Sequence, residues 1–300
     1  MNFSLRILSS SSSLRPALAC EVTPEGVLAA RRAKNSDTVL AFAPLAPDTL
    51  QPGLSAPNFA DPRAVSAAIR QALEDVAARE RDLTLVVPDS AVRVFILDFD
   101  TLPAKPQEAL PIVRFRLRKL APFEVEDAAV SYQVLRQAPD QTRVLVTVMP
   151  AAVRAEYESA VRAAGYEPGA LLPSMLAALA AAPAAEPALV VHRSALSVST
   201  AITSGDDLLL YRSLDLPADP ESQRADLLQT VSVAAAYYED TLHASLRTLY
   251  YVGPGGAEGF ASSLGADSAG VVRDLVPAPA GAVTALPKGL AAGVMGALAN

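Results

Sequence analysis

Periodic apolar residues divide the chain into short strands and amphipathic helices. Residues 17–30 read as a hairpin: an apolar strand, the turn Thr23-Pro24-Glu25-Gly26, and a second strand through Val27-Leu28-Ala29-Ala30. The proline-rich stretch 42–59 reads as loop. Asp61 followed by Pro62 opens a helix, because Asp caps the first free amides and Pro needs none. Val65, Ile69, Leu73 and Val76 then recur at helical spacing. Residues 83–87 form a short apolar strand that ends at Pro88.

A second unit starts there. Residues 92–99 read as a half-buried strand, and Pro106 starts a helix with Leu110, Val113, Leu117 and Leu120 on one face. Residues 130–135 and 144–148 are strands. Residues 151–164 are a helix with Val153, Tyr157 and Val161 inward, closed by Gly165. A third unit repeats the theme. Strands at 189–191, 197–202 and 208–211 lead to a long helix at 226–242 and a strand at 249–252. The Gly-rich turn Gly253-Pro254-Gly255-Gly256 follows, and a small-residue helix at 287–298 closes the chain. Residues 1–16, with their serine tract, read as a flexible leader.

Three hundred residues, 51% of them apolar, suit two or three subdomains with sizeable cores. A net charge of −7 removes the electrostatic reason to expect nucleic acid. One cysteine, Cys20, excludes an intrachain disulfide or a cysteine zinc site, and two histidines cannot build a His-rich one. The most apolar stretch, 170–191, is cut by Pro173, Pro183 and Pro187 and carries Glu186; the stretch 290–299 is too short to span a bilayer. Ala17-Leu18-Ala19-Cys20 has the outline of a lipoprotein box. The serines, Arg15 and Pro16 before it lack an apolar core, so Cys20 reads as a small buried hydrophobe.

The middle unit carries a distinctive order of strings. Val87-Pro88-Asp89-Ser90-Ala91-Val92 comes first, then Leu102-Pro103, then the basic helix at 114–120. Ala121-Pro122-Phe123-Glu124-Val125-Glu126-Asp127 and Ser131-Tyr132-Gln133-Val134-Leu135 follow, and Gly165-Tyr166-Glu167-Pro168 ends the unit. In this order they resemble the type IV pilus assembly protein M (PilM-like) family of the actin-like ATPase superfamily. The resemblance extends over most of 17–300 and is densest over 86–168.

That resemblance implies an α/β, actin-like (ribonuclease H-like) fold of two lobes around a nucleotide cleft. The first lobe is expected at 17–88 together with 169–187, a small inserted α/β subdomain at 89–168, and the second lobe at 188–300. It also implies a cytoplasmic protein at the inner face of the inner membrane. Its partners would be the N-terminal cytoplasmic tail of a PilN-like membrane protein and the assembly ATPase complex, reached without nucleic acid or direct membrane insertion.

Actin-like proteins hold phosphates with two hairpin turns, each usually carrying Asp-Ile-Gly. Here Glu21 stands at the first Asp position and Thr23 at the Gly; Pro24 removes an amide donor, and Glu25 adds a negative charge. At the second turn His192 and Ser194 occupy those positions. Both turns read as structural hairpins. The turn Gly253, Gly255, Gly256 is better preserved and could still accept adenosine, so weak ATP binding without efficient hydrolysis is the expectation. No catalytic nucleophile or metal site is expected: Ser90 and Ser194 lack partners at motif spacing, and His192 and His243 read as incidental. Arg114, Arg118 and Phe123 are the candidate partner-binding residues, the alternative being a solvated helix face. A cytoplasmic scaffold with a degenerate nucleotide site is the leading reading. An active ATPase of the same fold, or the cytoplasmic domain of a type II secretion L-type protein, are the alternatives.

Overall fold

The computed structural model describes residues 15–32, 38–183, 185–205, 207–264, 271–277 and 286–299. Most of the expected leader, residues 1–14, lies outside them. The chain begins with β1 (Leu18–Thr23), β2 (Gly26–Arg32), β3 (Thr38–Pro44), α1 (Pro62–Val76) and β4 (Asp82–Val87). A 3-10 turn at Asp89–Ala91 leads to β5 (Arg93–Phe99), α2 (Pro106–Leu117), β6 (Ala129–Ala138) and β7 (Gln141–Met149). Next come α3 (Ala151–Ala163), β8 (Glu167–Pro173) and α4 (Ser174–Leu179). The remainder is β9 (Ala188–Arg193), β10 (Ser197–Ser204), β11 (Asp207–Asp215), α5 (Pro220–Leu242), β12 (Thr248–Val252), α6 (Gly256–Leu264), β13 (Val271–Asp274) and α7 (Ala292–Leu298).

Two five-stranded sheets share one plan. The first runs β3-β2-β1-β4-β8 and the second β11-β10-β9-β12-β13. In each, an antiparallel three-strand meander is extended by two parallel strands. Alternation of side chains gives every central strand two buried faces. Cys20, Val22, Val27 and Ala29 face α1 and α3, while Ala19, Leu28, Ala30 and Leu40 face α7 and Ala177 of α4. In the second sheet Leu189, Val191, Val198 and Ile202 face α5 and α6. Ala188, Val190 and Ala201 face Met175, Leu176 and Leu179 of α4. This is the two-lobed actin-like α/β architecture.

Strands β5, β7 and β6 form a separate antiparallel sheet. Val144, Val146 and Val148 of β7 pack on Val113 and Leu117 of α2. Leu145, on the opposite face of the same strand, joins Met175 and Tyr211 in the core of the second lobe. The insertion therefore leans on the second lobe, although it interrupts the first.

Packing moves several expected boundaries. Helix α3 does not belong with the inserted strands. Val153, Tyr157 and Val161 share a core with α1, and Glu156 accepts the amides of Asn58 and Phe59 at 2.8 Å each. Strands β3 and β8 and the six-residue α4 differ from the expectation; they are short and mostly apolar, with no period to read. The closing helix is shorter than 287–298 and packs on the first lobe rather than the second. The long helix starts earlier, at Pro220, where Asp219 caps the Ser222 amide at 2.8 Å. Leu120, expected inward, lies beyond the end of α2 and is exposed.

Helices α4 and α7 cross with their backbones in contact. A methyl group on Gly296 would strike the Ala177 carbonyl, and one on Gly293 would strike the Glu21 carboxylate. Gly296→Ala is therefore expected to cost about 1–3 kcal/mol by overpacking. Gly259→Ala, in open space within α6, is expected to gain roughly 0.5–1 kcal/mol from helix propensity. Urea unfolding of the two variants beside wild type checks both signs.

Candidate functional site

The two hairpin turns and the Gly-rich turn meet at the cleft between the lobes. Glu21, Thr23, Glu25, Ser174, His192, Arg193, Ser194, Val252 and Pro254 line a cavity of about 20 Å³ there. The residues selected from sequence for a nucleotide site are thus neighbours in space. The room left between them holds about one water molecule, whereas small-molecule sites run from about 300 Å³.

Protein groups fill the space and use the donors. The Thr23 hydroxyl donates to the Gly26 carbonyl at 2.9 Å, closing its own hairpin. Gly253, at φ 144°, sits where a side chain would strike the Arg193 carbonyl, and its amide donates to Gly289 at 3.0 Å. Gly256 has φ 65°, and the next amide, at Ala257, donates to the Asp274 carboxylate at 2.8 Å. That carboxylate occupies the N-terminal end of α6, a position that would otherwise attract a phosphate. The glycines of this turn serve close backbone packing within the protein. These residues do not fit a nucleotide polyphosphate and its metal. Among the described residues no three His, Cys, Asp or Glu side chains are grouped to hold a metal ion.

A buried polar network occupies the floor of the cleft. His192 Nδ1 lies 2.7 Å from Asp89 Oδ2, and Ser199 Oγ donates to the same oxygen at 2.9 Å. Asp89 Oδ1 accepts the Met175 amide at 3.0 Å. On the other side of the ring, Ser174 Oγ lies 3.4 Å from His192 Nε2 and donates to Glu21. All these side chains are buried. Burial pushes the Glu21 carboxyl up to about 7, against the opposing pull of the Ser174 hydrogen bond and His192. Burial by itself would lower the His192 pKa. The Asp89 charge and hydrogen bond, helped by Glu21 and Glu25, outweigh burial and hold it above its ordinary value.

Ser174, His192 and Asp89 have the order of a hydrolytic triad but lack its working parts. The serine hydroxyl is committed to Glu21, and the amide that follows it is committed to Asp89, so it is not offered to an oxyanion. The cavity admits no acyl substrate.

His192, expected to be incidental, is a central member of this network. Asp89 and Ser174 were not singled out as site residues. Their roles depend on contacts spanning residues 21 to 199, which no local motif reports. The lone histidine after Leu189-Val190-Val191 was the available signal, since a polar ring at the end of a buried strand requires a partner.

The candidate partner-binding residues make contacts within the insertion, and Arg114 also lines a groove beside it. Arg114 donates to the carbonyls of Val125, Glu126 and Ala128 and so clamps the loop before β6. Arg118 pairs with Glu126 at 2.8 Å, and Phe123 packs on the insertion core. The exposed large apolar residues of that helix are Ile112 and Phe115.

A larger groove lies elsewhere. It measures about 370 Å³ and runs between β6 and β8, lined by Ala129, Val130 and Ser131 on one side and Pro168 to Leu171 on the other, with Arg154 and Glu158 of α3 at its base. A further 90 Å³ continues it along Tyr132, Leu172 and Leu176. Both flanking strands are the last in their sheets among the described residues.

The fold is actin-like, with an inserted subdomain. A solved structure described as a PilM–PilN type IV pilus biogenesis complex matches with a TM-score of 0.73 at 19% identity, covering 95% of this chain and 98% of that one. The cytoplasmic domain of EpsL, an inner membrane component of the type II secretion system of Vibrio cholerae, matches with a TM-score of 0.50 at 15% identity. There the coverage is 94% of this chain and 92% of that one. No family model matches the chain, and no curated protein matches its sequence significantly. Among the described residues no helix is long and apolar enough to cross a membrane.

Raising a carboxyl from 4.5 to about 7 makes its ionisation cost the folded state about 3 kcal/mol. The folded chain binds this proton more tightly than the unfolded chain. The stability associated with Glu21 is therefore full below about pH 4.5 and is lost as pH rises through about 7. Between pH 4.5 and 8, wild type is expected to lose about 3 kcal/mol more than Glu21→Gln. Urea unfolding across that range measures it; parallel profiles for the two proteins would exclude a titrating Glu21.

Proposed function

We propose that this chain is a scaffold of a type IV pilus assembly platform or a related secretion system. In this reading it captures the extended cytoplasmic tail of an inner-membrane protein in the groove between β6 and β8. The observation that carries the proposal is the groove itself, framed by one edge strand from the first lobe and one from the insertion. A peptide laid there meets strand backbone on both sides, small apolar side chains, and the charged pair Arg154–Glu158 at its base. That combination suits strand addition, in which main-chain bonds give affinity and alternate side chains give register. The likeness to PilM in a complex with PilN supports a tail of a pilus assembly protein as the ligand. The likeness to the EpsL domain supports a secretion component as the second reading, with the same groove in use.

The protein acts without turning over ATP in this proposal. Phosphoryl transfer rests on positioning metal, water and phosphate together. Pro24, Glu25, the committed amides around Gly253 and a cavity of about 20 Å³ all oppose that. Weak adenosine contact at the Gly253–Gly256 turn is the most that the cleft would accept. It would work from the cytoplasmic face of the inner membrane, held there by its partners.

Two measurements check this. Fluorescently labelled N-terminal tails of co-encoded inner-membrane proteins are expected to bind saturably. Ala170→Trp, which fills the groove, should weaken binding at least about tenfold at unchanged thermal stability, with Arg118→Glu binding as wild type. Full affinity in Ala170→Trp would remove the groove from the model. Calorimetric titration with ATP and magnesium, run beside a phosphate-release assay, is expected to show no turnover. Turnover abolished by Glu21→Ala would overturn the scaffold reading of the cleft.

A further inference from the structure

We propose that the carboxylate of Asp89 and the ring of His192 form a proton-dependent latch that fastens the second lobe to the base of the insertion. In this role an internal ion pair closes the cleft where a bound ligand would otherwise bridge the lobes.

The geometry concentrates on one side chain. Asp89 lies in the turn that joins β4 to β5, where the chain leaves the first lobe for the insertion. Its two oxygens hold Met175 at the start of α4, His192 on β9 and Ser199 on β10. Ser199 Oγ, its proton given to Asp89, accepts from the Ser213 hydroxyl on β11 at 3.0 Å, so the connection reaches the third strand of the second sheet. Ser174, bonded to Glu21 on β1, closes the other side of the imidazole. Strand β1 of the first lobe, α4 and three strands of the second lobe are thereby tied through one buried cluster. On the rim beside it, Arg93 of β5 pairs with Asp215 of β11, which marks the same seam at the surface.

The charges make the tie conditional. A buried carboxylate is stable only when paired and fully hydrogen-bonded. Imidazolium supplies the opposite charge; neutral imidazole supplies one hydrogen bond and no charge. The groups facing His192 are Asp89, Glu21, Ser174, Ser199 and, from the β1–β2 turn, Glu25. Tyr211 of β11 faces Asp89. The carboxyl groups there all favour the protonated ring, and none can replace its charge once it is lost. The sign follows: fastening is complete while His192 is protonated and weakens as pH rises through its raised pKa. Asp89 also lies next to the groove lining, since its carbonyl accepts the Val92 amide and its carboxylate holds the Met175 amide two residues after Pro173. Opening the latch frees the seam at the root of that groove.

The test is hydrogen exchange on the intact chain from pH 6 to 9.5, corrected for the intrinsic chemical rate and read by mass spectrometry. In wild type, protection of segments 18–23, 89–93 and 188–199 should fall in one step as pH rises, by at least about tenfold, while α1 stays unchanged. His192→Asn and Asp89→Asn should be unprotected in those segments at pH 6 and show no step. His243→Asn, at the exposed end of α5, should behave as wild type. Glu21→Gln should keep the step, which separates His192 from the neighbouring carboxyl. A flat wild-type profile, or a wild-type step in His192→Asn, would overturn the latch. If either cleft variant fails to fold, the wild-type and Glu21→Gln profiles still decide. No peptide enters the measurement, so its failure leaves the tail-binding reading untouched, and loss of that reading leaves the latch untouched.

Discussion

The contact between α4 and α7 is the constraint on which the rest of the cleft depends. Gly296 lets α7 rest on the backbone of Ala177, and Gly293 lets it rest on Glu21. With both helices this close, the last segment of the chain fills the space behind the first sheet, and Ala19, Leu28, Leu40 and Val86 gain apolar cover. The same approach seals Glu21 away from water. Its carboxyl then becomes a weak acid near neutrality rather than a free anion available to a metal-bound water. A small-residue helix thus has an electrostatic consequence one layer away.

The cleft shows how converging turns can be closed by the protein's own groups. Its turns converge, and the glycines after β12 adopt positive-φ backbone that favours glycine. The donors are used within the protein. The amides of Gly253 and Ala257 are bonded to Gly289 and Asp274, and His192 lies between Asp89 and Ser174. Buried polar groups demand partners, and here the protein supplies them itself.

The insertion extends the same economy outward. Its sheet has α2 on one face and the second lobe on the other, so it is held at two levels and leaves the edge of β6 opposite the edge of β8. The basic run on α2 is less available than its charge suggests, because Arg114 and Arg118 serve the loop at 125–128. Charge density marks a surface; contact decides its use.

Local chemistry was legible in the chain. Asp61-Pro62 placed the start of α1, the alternation around Thr23-Pro24-Glu25-Gly26 placed the first hairpin, and the order of short strings from Val87 to Pro168 pointed to the actin-like plan. Glu21, Thr23, His192 and Ser194 were legible as hairpin residues, and the structure places all four on the lining of one small cavity. The association of α3 with α1, the return of α7 to the first lobe and the Asp89–His192–Ser174–Glu21 cluster were not visible. Their partners lie tens to hundreds of residues apart, and Ala-rich or uniformly apolar segments such as α4 and α7 have no periodicity to say which face meets what. Periodicity and turn chemistry are properties of neighbours in sequence. Close packing and the pairing of buried charge are properties of neighbours in space, so only the tertiary structure decided them.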